Sequence, residues 1–298
     1  MNQKTLRKSY KFEGKGIHTG TYAHVTVNPA PENSGLSFVR TDLGVSIPAL
    51  AENVCNTARC TTIGKDGATV STVEHLVSAL TGLGVDNAEI EIDNIEVPIL
   101  DGSASYFVRD ILADGLQEQQ AERIYIEIDS ELTATNDHGS LIRITPADEF
   151  SYELVADFGS KVLGEQKSVW NPAIDYVSQI APCRTFCFFH ELEYLVGHGL
   201  VKGGDMDNAI VVVEHPASDE QISRLASFFG IDGIKVNENG YLNNLELHFP
   251  NECGRHKMLD LIGDLRLSGG FLRAHVSAYK PGHTVNTEAA KVIRKHLK

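Results

Sequence analysis

The sequence lacks any apolar run approaching the roughly 18 residues that a membrane-spanning helix requires. Its candidate runs are short patches such as residues 187–189 and 210–213. We therefore predict no membrane span. The basic start of the chain has no apolar stretch behind it, so we expect no secretory signal peptide and a cytoplasmic location.

Paired cysteines and nucleotide-binding glycine motifs are also missing. None of the five cysteines belongs to a Cys-x-x-Cys pair, and an odd number in a chain of 298 residues does not indicate a disulfide framework. The sequence contains no Gly-x-Gly-x-x-Gly, Walker or Gly-x-Ser-x-Gly motif. Nothing therefore supports a nucleotide cofactor, a kinase-type phosphate loop or a serine hydrolase.

Positive charge is in deficit. The chain has 26 Lys and Arg against 40 Asp and Glu, a formal net charge of −14. This balance predicts that nucleic acid is not a partner, and an anionic substrate would need a local group of cations. Hydrophobic residues make up 42% of the chain and charged residues 22%, which is typical of a folded globular protein.

The length and the strand patterns predict two domains, residues 1–120 and 121–298. The polar segment 117–122 is interpreted as the linker between them. Residues 25–30 and 142–147 both read as an alternating strand that ends in a polar residue, Pro and Ala. This similarity indicates a duplicated unit, although such strand-plus-proline turns also recur by chance.

Residues 184–213 predict a small βαβ unit inside the second domain. The strands are expected at 184–189 and 208–213, with a helix at 191–196 between them. The unit is rich in Phe and Leu. These side chains could form a local core, which is the commoner case, or an apolar wall for a lipid-like ligand.

Two short patterns could carry metal chemistry. His256 and Asp260 are one helical turn apart, so they can hold the same ion; a surface ion pair is the alternative. Glu74 and His75 lie near the start of a helix predicted from about residue 72 to 83. Glu74 could instead form a capping box with Ser71, in which its carboxylate bonds the helix start.

Taken together, seven ordered motifs closely resemble the UDP-3-O-acyl-N-acetylglucosamine deacetylases, zinc amidases of lipid A biosynthesis. The motifs are GKGIHTG (14–20), STVEHL (71–76), DNAEI (86–90), PILDGSA (98–104), RTF (184–186), HKMLDLIGDL (256–265) and YKPGH (279–283). The resemblance implies an α+β fold with two similar domains. Each domain would be a β-sheet packed on two helices, with the βαβ insert in the second and the active site between them.

The resemblance also implies the roles of individual residues. His75, His256 and Asp260 would bind Zn²⁺, and Glu74 would act as the general base for an attacking water. A protonated His283 would stabilise the oxyanion and donate a proton to the leaving amine. Asp264 would orient His283, and the Thr185 hydroxyl would donate to the oxyanion. His18 would lie near the site without binding the metal.

The substrate implied by the resemblance is a small molecule, a UDP-linked, 3-O-acylated N-acetylglucosamine. Lys257 would lie near its phosphates, and Phe186, Phe188 and Leu195 would line an apolar passage for the acyl chain. Two alternatives stay open: a zinc amidase that acts on another N-acetylated sugar, and a non-catalytic binding protein with a degenerate site. Nothing in the sequence requires more than a monomer.

Overall fold

The computed structural model describes residues 1–198 and 201–297, and the chain folds as an α+β protein. The elements of the first half are β1 (Asn2–Leu6), β2 (Tyr10–Lys15), β3 (Tyr22–Pro29), β4 (Leu36–Arg40), β5 (Val45–Pro48), a 3₁₀ turn (Ala51–Asn53), β6 (Val54–Asn56), β7 (Thr62–Lys65), β8 (Ala68–Val70), α1 (Glu74–Leu83), β9 (Ala88–Ile92), α2 (Ser105–Asp114) and β10 (Leu116–Glu122).

The second half has fewer strands and more helices. Its elements are β11 (Tyr125–Glu127), β12 (Leu132–Thr135), β13 (Leu141–Pro146), β14 (Ser151–Asp157), β15 (Glu165–Trp170), α3 (Tyr176–Gln179), β16 (Phe186–Phe188), α4 (Phe189–Gly197), β17 (Ile210–Val212), α5 (Asp219–Phe229), α6 (Glu252–Arg266), β18 (Phe271–Tyr279) and α7 (His283–His296).

The two main sheets repeat one topology. The first sheet has the order β2-β3-β9-β4-β5, and the path β12-β13-β18-β14-β15 of the second matches it strand for strand. In each, the central strand runs antiparallel to one neighbour and parallel to the other. The α+β fold class is confirmed, and the repeat supports the predicted duplication. The boundary between residues 120 and 121 stays a prediction.

Residues 117–122, which the sequence analysis interprets as a linker, form a regular strand. They belong to strand β10, which pairs antiparallel with β1 at the opposite end of this half. Their side chains are exposed or half-buried, so the segment shows no apolar alternation. Main-chain hydrogen bonds, which do not depend on side-chain polarity, hold it in the sheet.

Helices α1 and α6 pack against each other at the centre of the molecule, flanked by α2 and α7. The apolar side of α6 is buried, and the polar side is buried as well. His256, Asp260 and Asp264 are 2%, 1% and 0% exposed. The helix therefore has no solvated face along these positions, because elements of both halves cover it.

The βαβ insert is confirmed within the described residues. Strand β16 pairs in parallel with β17, and α4 lies between them in the chain. Its core extends beyond residue 213, since Leu225 of α5 and Leu242 pack with Phe189 and Val211. All five cysteines are free. No helix among the described residues is long and apolar enough to cross a membrane.

Candidate active site

The close approach of α1 and α6 depends on one glycine. A Cβ atom built on Gly263 would lie 2.2 Å from the carbonyl oxygen of Glu74, far inside van der Waals contact. Because Gly263 has no side chain, the first turn of α1 reaches the main chain of α6. This contact brings Glu74 and His75 beside His256 and Asp260.

His75, His256 and Asp260 form a group whose ligand atoms all lie within 4.8 Å of one another. The Asp260 Oδ1 atom is 3.4 Å from His256 Nε2 and 3.7 Å from His75 Nε2. All three residues are buried. No other group of this kind occurs among residues 1–198 and 201–297.

The chemistry of this group fits a divalent cation such as zinc. The buried Oδ1 of Asp260 has no hydrogen-bond partner, and an orphaned buried oxygen is costly unless a ligand satisfies it. His256 Nδ1 lies 3.0 Å from the carbonyl oxygen of Cys183, an arrangement that leaves Nε2 free to bind a metal. Tetrahedral zinc with bonds of about 2.0 Å separates its ligand atoms by about 3.3 Å, close to the 3.4 and 3.7 Å between Asp260 Oδ1 and the two histidine Nε2 atoms.

The electrostatics of the group favour metal-binding forms. Burial, with His256 beside it, lowers the pKa of His75 to about 3, and burial also lowers the pKa of His256. Both rings are therefore neutral at pH 7, as metal ligands must be. Burial alone raises the pKa of Asp260, but the positive charges facing it, including Lys257 Nζ at 2.8 Å from Oδ2, hold it below its usual range.

Glu74 is the first residue of α1 and does not form the capping box. Val73 is the N-cap, and no side chain caps this helix. The Glu74 carboxylate points instead into the site, where Oε2 accepts a hydrogen bond from the Thr61 main-chain N–H (3.1 Å) and Oε1 lies 3.9 Å from His283 Nε2. Burial raises the pKa of Glu74 to about 8, against the opposing effect of His283.

His283 faces Glu74 from the opposite side and is held by Asp264. The terminal helix begins at His283 itself. The Nδ1 atom of His283 lies 3.0 Å from Asp264 Oδ2. Burial alone lowers the pKa of His283, but the carboxylates of Asp264 and Glu74 raise it to about 9. The ring is therefore protonated at pH 7.

Thr61 is a member of the site that the sequence did not reveal. It is fully buried just before β7, and its hydroxyl donates to Asp264 Oδ1 at 2.5 Å. The Thr61 hydroxyl oxygen also lies 3.3 Å from His283 Nδ1. The surrounding residues Cys60, Thr61 and Thr62 match none of the motifs considered above, so no sequence signal marked it.

A cavity of about 680 Å³ opens from the metal-ligand group towards the βαβ insert. Thr185, Phe186, Phe188 and Leu195 all line it, as does His18. Among the further apolar lining residues are Phe158, Leu192, Met206, Val211 and Phe229. The wall is therefore mainly apolar where the insert forms it and polar at the metal-ligand group.

Lys257 also lines this cavity, although its ammonium group already has a partner. Its Nζ atom donates to Asp260 Oδ2 at 2.8 Å and lies 5.6 Å from the centre of the Phe186 ring. The predicted contact with substrate phosphates stays a prediction. In this structure Lys257 orients the carboxylate whose other oxygen belongs to the metal-ligand group.

The loop that carries His18 is fixed by a second residue that sequence reasoning missed. Glu96 is 0% exposed, and its carboxylate accepts hydrogen bonds from the N–H groups of His18 and Thr19 and from the hydroxyls of Thr19 and Thr72. Thr72 has a φ of 57°, which is unusual for a β-branched residue. Glu96 thus ties a cavity wall to the strained segment before Glu74.

Comparison with known proteins shows the family to which the chain is similar. The family model described as UDP-3-O-acyl N-acetylglycosamine deacetylase (LpxC) matches residues 3–227 and 232–295. A protein named UDP-3-O-acyl-N-acetylglucosamine deacetylase from Myxococcus xanthus is 39% identical over 297 residues, covering 99% of this chain and 86% of the relative.

Longer relatives match equally well. Proteins named bifunctional enzyme LpxC/FabZ are 41% identical over 301 residues in Bacteroides thetaiotaomicron and 42% identical over 299 residues in Porphyromonas gingivalis. The matches cover 100% and 99% of this chain, which spans 65% of the length of each of these two relatives.

Proposed function

Because the chain belongs to the UDP-3-O-acyl N-acetylglycosamine deacetylase family, we propose that it hydrolyses the N-acetyl amide of a UDP-linked, 3-O-acylated N-acetylglucosamine. The reaction releases acetate and a free amine, as a step of lipid A biosynthesis. The observation that carries the proposal is the metal-ligand group beside the Glu74–His283 pair, at one end of a largely apolar cavity.

Zinc is the proposed metal, held by His75, His256 and Asp260. Two imidazoles and one carboxylate leave a position open for water or substrate, as catalytic zinc sites do. The chemistry that zinc supplies in such a site is polarisation of the amide carbonyl and a lower pKa for water. The orphaned Asp260 Oδ1 supports the assignment, since it otherwise stays buried without a partner.

In its ionised form, which the protonated His283 opposite it favours, Glu74 acts as the general base and takes a proton from the water as the water oxygen bonds to the carbonyl carbon. Its carboxylate lies beside the metal-ligand group and is fixed at Oε2 by the Thr61 N–H. The N-acetyl C–N bond then breaks as His283, charged and held by Asp264, donates a proton to the departing amine nitrogen. Thr185 donates from the cavity wall to the oxyanion.

Substrate binding divides between polar and apolar parts of the cavity. The 3-O-acyl chain contacts Phe186, Phe188 and Leu195, because these residues form part of the apolar wall of the cavity. Lys257 contributes positive charge near the phosphates of the nucleotide, where a net charge of −14 makes a local cation necessary. Its ion pair with Asp260 leaves the ammonium two hydrogens for such a contact.

Acetate release from the acylated UDP sugar tests the proposal. We expect release by the zinc-loaded protein, loss on chelation, recovery on adding zinc, and near-total loss in Glu74→Gln. The exposed residue Glu89 provides a matched control, and Glu89→Gln is expected to keep full activity. Absence of acetate release from the zinc-loaded wild type would refute the proposed activity.

The same assay separates the alternatives. Equal rates on sugars with and without the 3-O-acyl chain would indicate a zinc amidase for another N-acetylated sugar. Tight substrate binding without turnover would indicate a binding protein with a degenerate site. A cytoplasmic location and a monomeric state are part of the proposal, and fractionation and sedimentation equilibrium test them.

A further inference from the structure

Two contacts of Thr61 reach the two groups that the proposed mechanism uses for proton transfer. Its main-chain N–H donates to Glu74 Oε2 at 3.1 Å, and its hydroxyl donates to Asp264 Oδ1 at 2.5 Å. Thr61 is 0% exposed and does not line the cavity. It therefore touches the proton-transfer machinery from behind, away from the space that substrate would fill.

The hydroxyl of Thr61 completes the set of donors around the Asp264 carboxylate. Oδ2 of Asp264 lies 3.0 Å from both His283 Nδ1 and Asn286 Nδ2. Within the described residues, the Thr61 hydroxyl is the donor to the other oxygen, Oδ1. With both oxygens held, the carboxylate cannot rotate, and the direction in which it holds the His283 ring is fixed.

These contacts join parts of the chain that are distant in sequence. Thr61 precedes β7, Asp264 lies on α6 and His283 begins α7. The carbonyl oxygen of Thr61 also accepts a hydrogen bond from Val73 N–H, at the start of the helix that carries Glu74. One residue thus sets the position of α1 relative to the Asp264–His283 pair.

We propose that Thr61 is a positioning residue, whose hydroxyl holds Asp264, and through it His283, in register with Glu74. The inference rests on the proposed function, because only that function gives the two groups their roles. The alternative is that Thr61 merely fills space between the two halves. This alternative predicts that kcat depends on the volume of the side chain at position 61 and not on the hydroxyl group.

The variants Thr61→Ser and Thr61→Ala test this difference. Both keep the main-chain contact with Glu74, and they differ from each other by one hydroxyl group. We expect Thr61→Ser to stay near the wild-type kcat and Thr61→Ala to lose kcat on the order of ten-fold, as expected when a charged buried group loses one donor. KM should stay within about two-fold, because Thr61 lies outside the cavity.

Thr57→Ala is the matched control. The Thr57 hydroxyl also bonds across the two halves, 2.8 Å from the hydroxyl of Thr284, but at the surface. It should leave kcat unchanged. Equal kcat values for Thr61→Ser and Thr61→Ala would overturn the proposal. If Thr61→Ala does not fold, Thr61→Cys is used in its place, because a thiol is a weaker donor than the hydroxyl. A kcat of Thr61→Cys equal to that of Thr61→Ser would again overturn the proposal.

A measurement without substrate separates this inference from the proposed function. The ¹⁵N NMR signals of the His283 imidazole report its hydrogen bond to Asp264, and we expect them to change in Thr61→Ala and not in Thr61→Ser or Thr57→Ala. An inactive wild type in which this pattern holds would refute the deacetylase reaction alone. Unchanged His283 signals in Thr61→Ala would refute the positioning role.

Discussion

Substitution of Gly263 by alanine is the most direct test of how the two halves build the site. The added Cβ would lie 2.2 Å from the Glu74 carbonyl oxygen and 3.1 Å from the Glu74 Cα. An ordinary contact between carbon and oxygen is about 1 Å longer than the first distance. Because both atoms belong to helix main chain, neither can move away by changing a rotamer.

The net effect on stability follows from two opposing terms. Alanine in a helix interior is favoured over glycine by about 1 kcal/mol. Overpacking of a tight core costs about 1–3 kcal/mol when side chains relax, and more when they cannot. We therefore expect Gly263→Ala to destabilise the protein by about 2 kcal/mol or more, which lowers Tm by at least about 3 °C for a chain of this length.

The assay is thermal unfolding followed by circular dichroism, with acetate release measured on the same samples. Gly197→Ala is the matched control, since Gly197 ends helix α4 and a Cβ there meets no atom within 4 Å. It should leave Tm unchanged or slightly raised. A Tm for Gly263→Ala within about 1 °C of the wild type would refute the argument that main-chain contact at Gly263 sets the helix spacing.

Three further predictions concern charge, burial and the cavity. Asp264 and Glu74 raise the pKa of His283 to about 9 despite its burial, so kcat should fall as pH rises through about 9. Asp264→Asn should move this fall in kcat to lower pH. An unchanged pH profile would contradict the role of Asp264 in keeping His283 protonated. Arg184→Met leaves the buried Glu252 without its 2.9 Å partner, which should cost about 3 kcal/mol in urea unfolding; a further Glu252→Leu change should restore part of it. Leu195→Trp should narrow the cavity at its apolar wall and lower kcat/KM more for long than for short 3-O-acyl chains. Equal decreases in kcat/KM for both would indicate that the acyl chain binds elsewhere.

The helices that carry the site were predicted from local patterns. The predicted start and end of α1 lie within two residues of those observed, and His256 and Asp260 do lie one turn apart on a helix, α6. The paired strand-and-proline segments also pointed to the repeated sheet topology. Such features depend on residues close together in the chain, so periodicity and turn residues reveal them.

Other features depend on partners that no local pattern identifies. Strand β10 has no apolar alternation, because its side chains lie largely in solvent. It forms a strand because its main chain pairs with that of β1. The Glu74 carboxylate matched a capping box, yet the main chain of Thr61 holds it instead. Thr61 and Glu96 belong to no recognisable motif. Their hydrogen bonds to Asp264 and Thr72 form only because folding brings distant segments together.

The sequence by itself determined the secondary structure around the site, the βαβ insert, and the residue types that a metal-dependent amidase needs. Only the tertiary structure decided that His75 meets His256 and Asp260, that the polar side of α6 is buried, and that His283 faces Glu74. The physical reason is the packing of α1 on α6 at Gly263. Main-chain contact between elements far apart in the chain brings these side chains together and removes them from water, and the burial and charges there shift the pKa values on which the proposed chemistry depends.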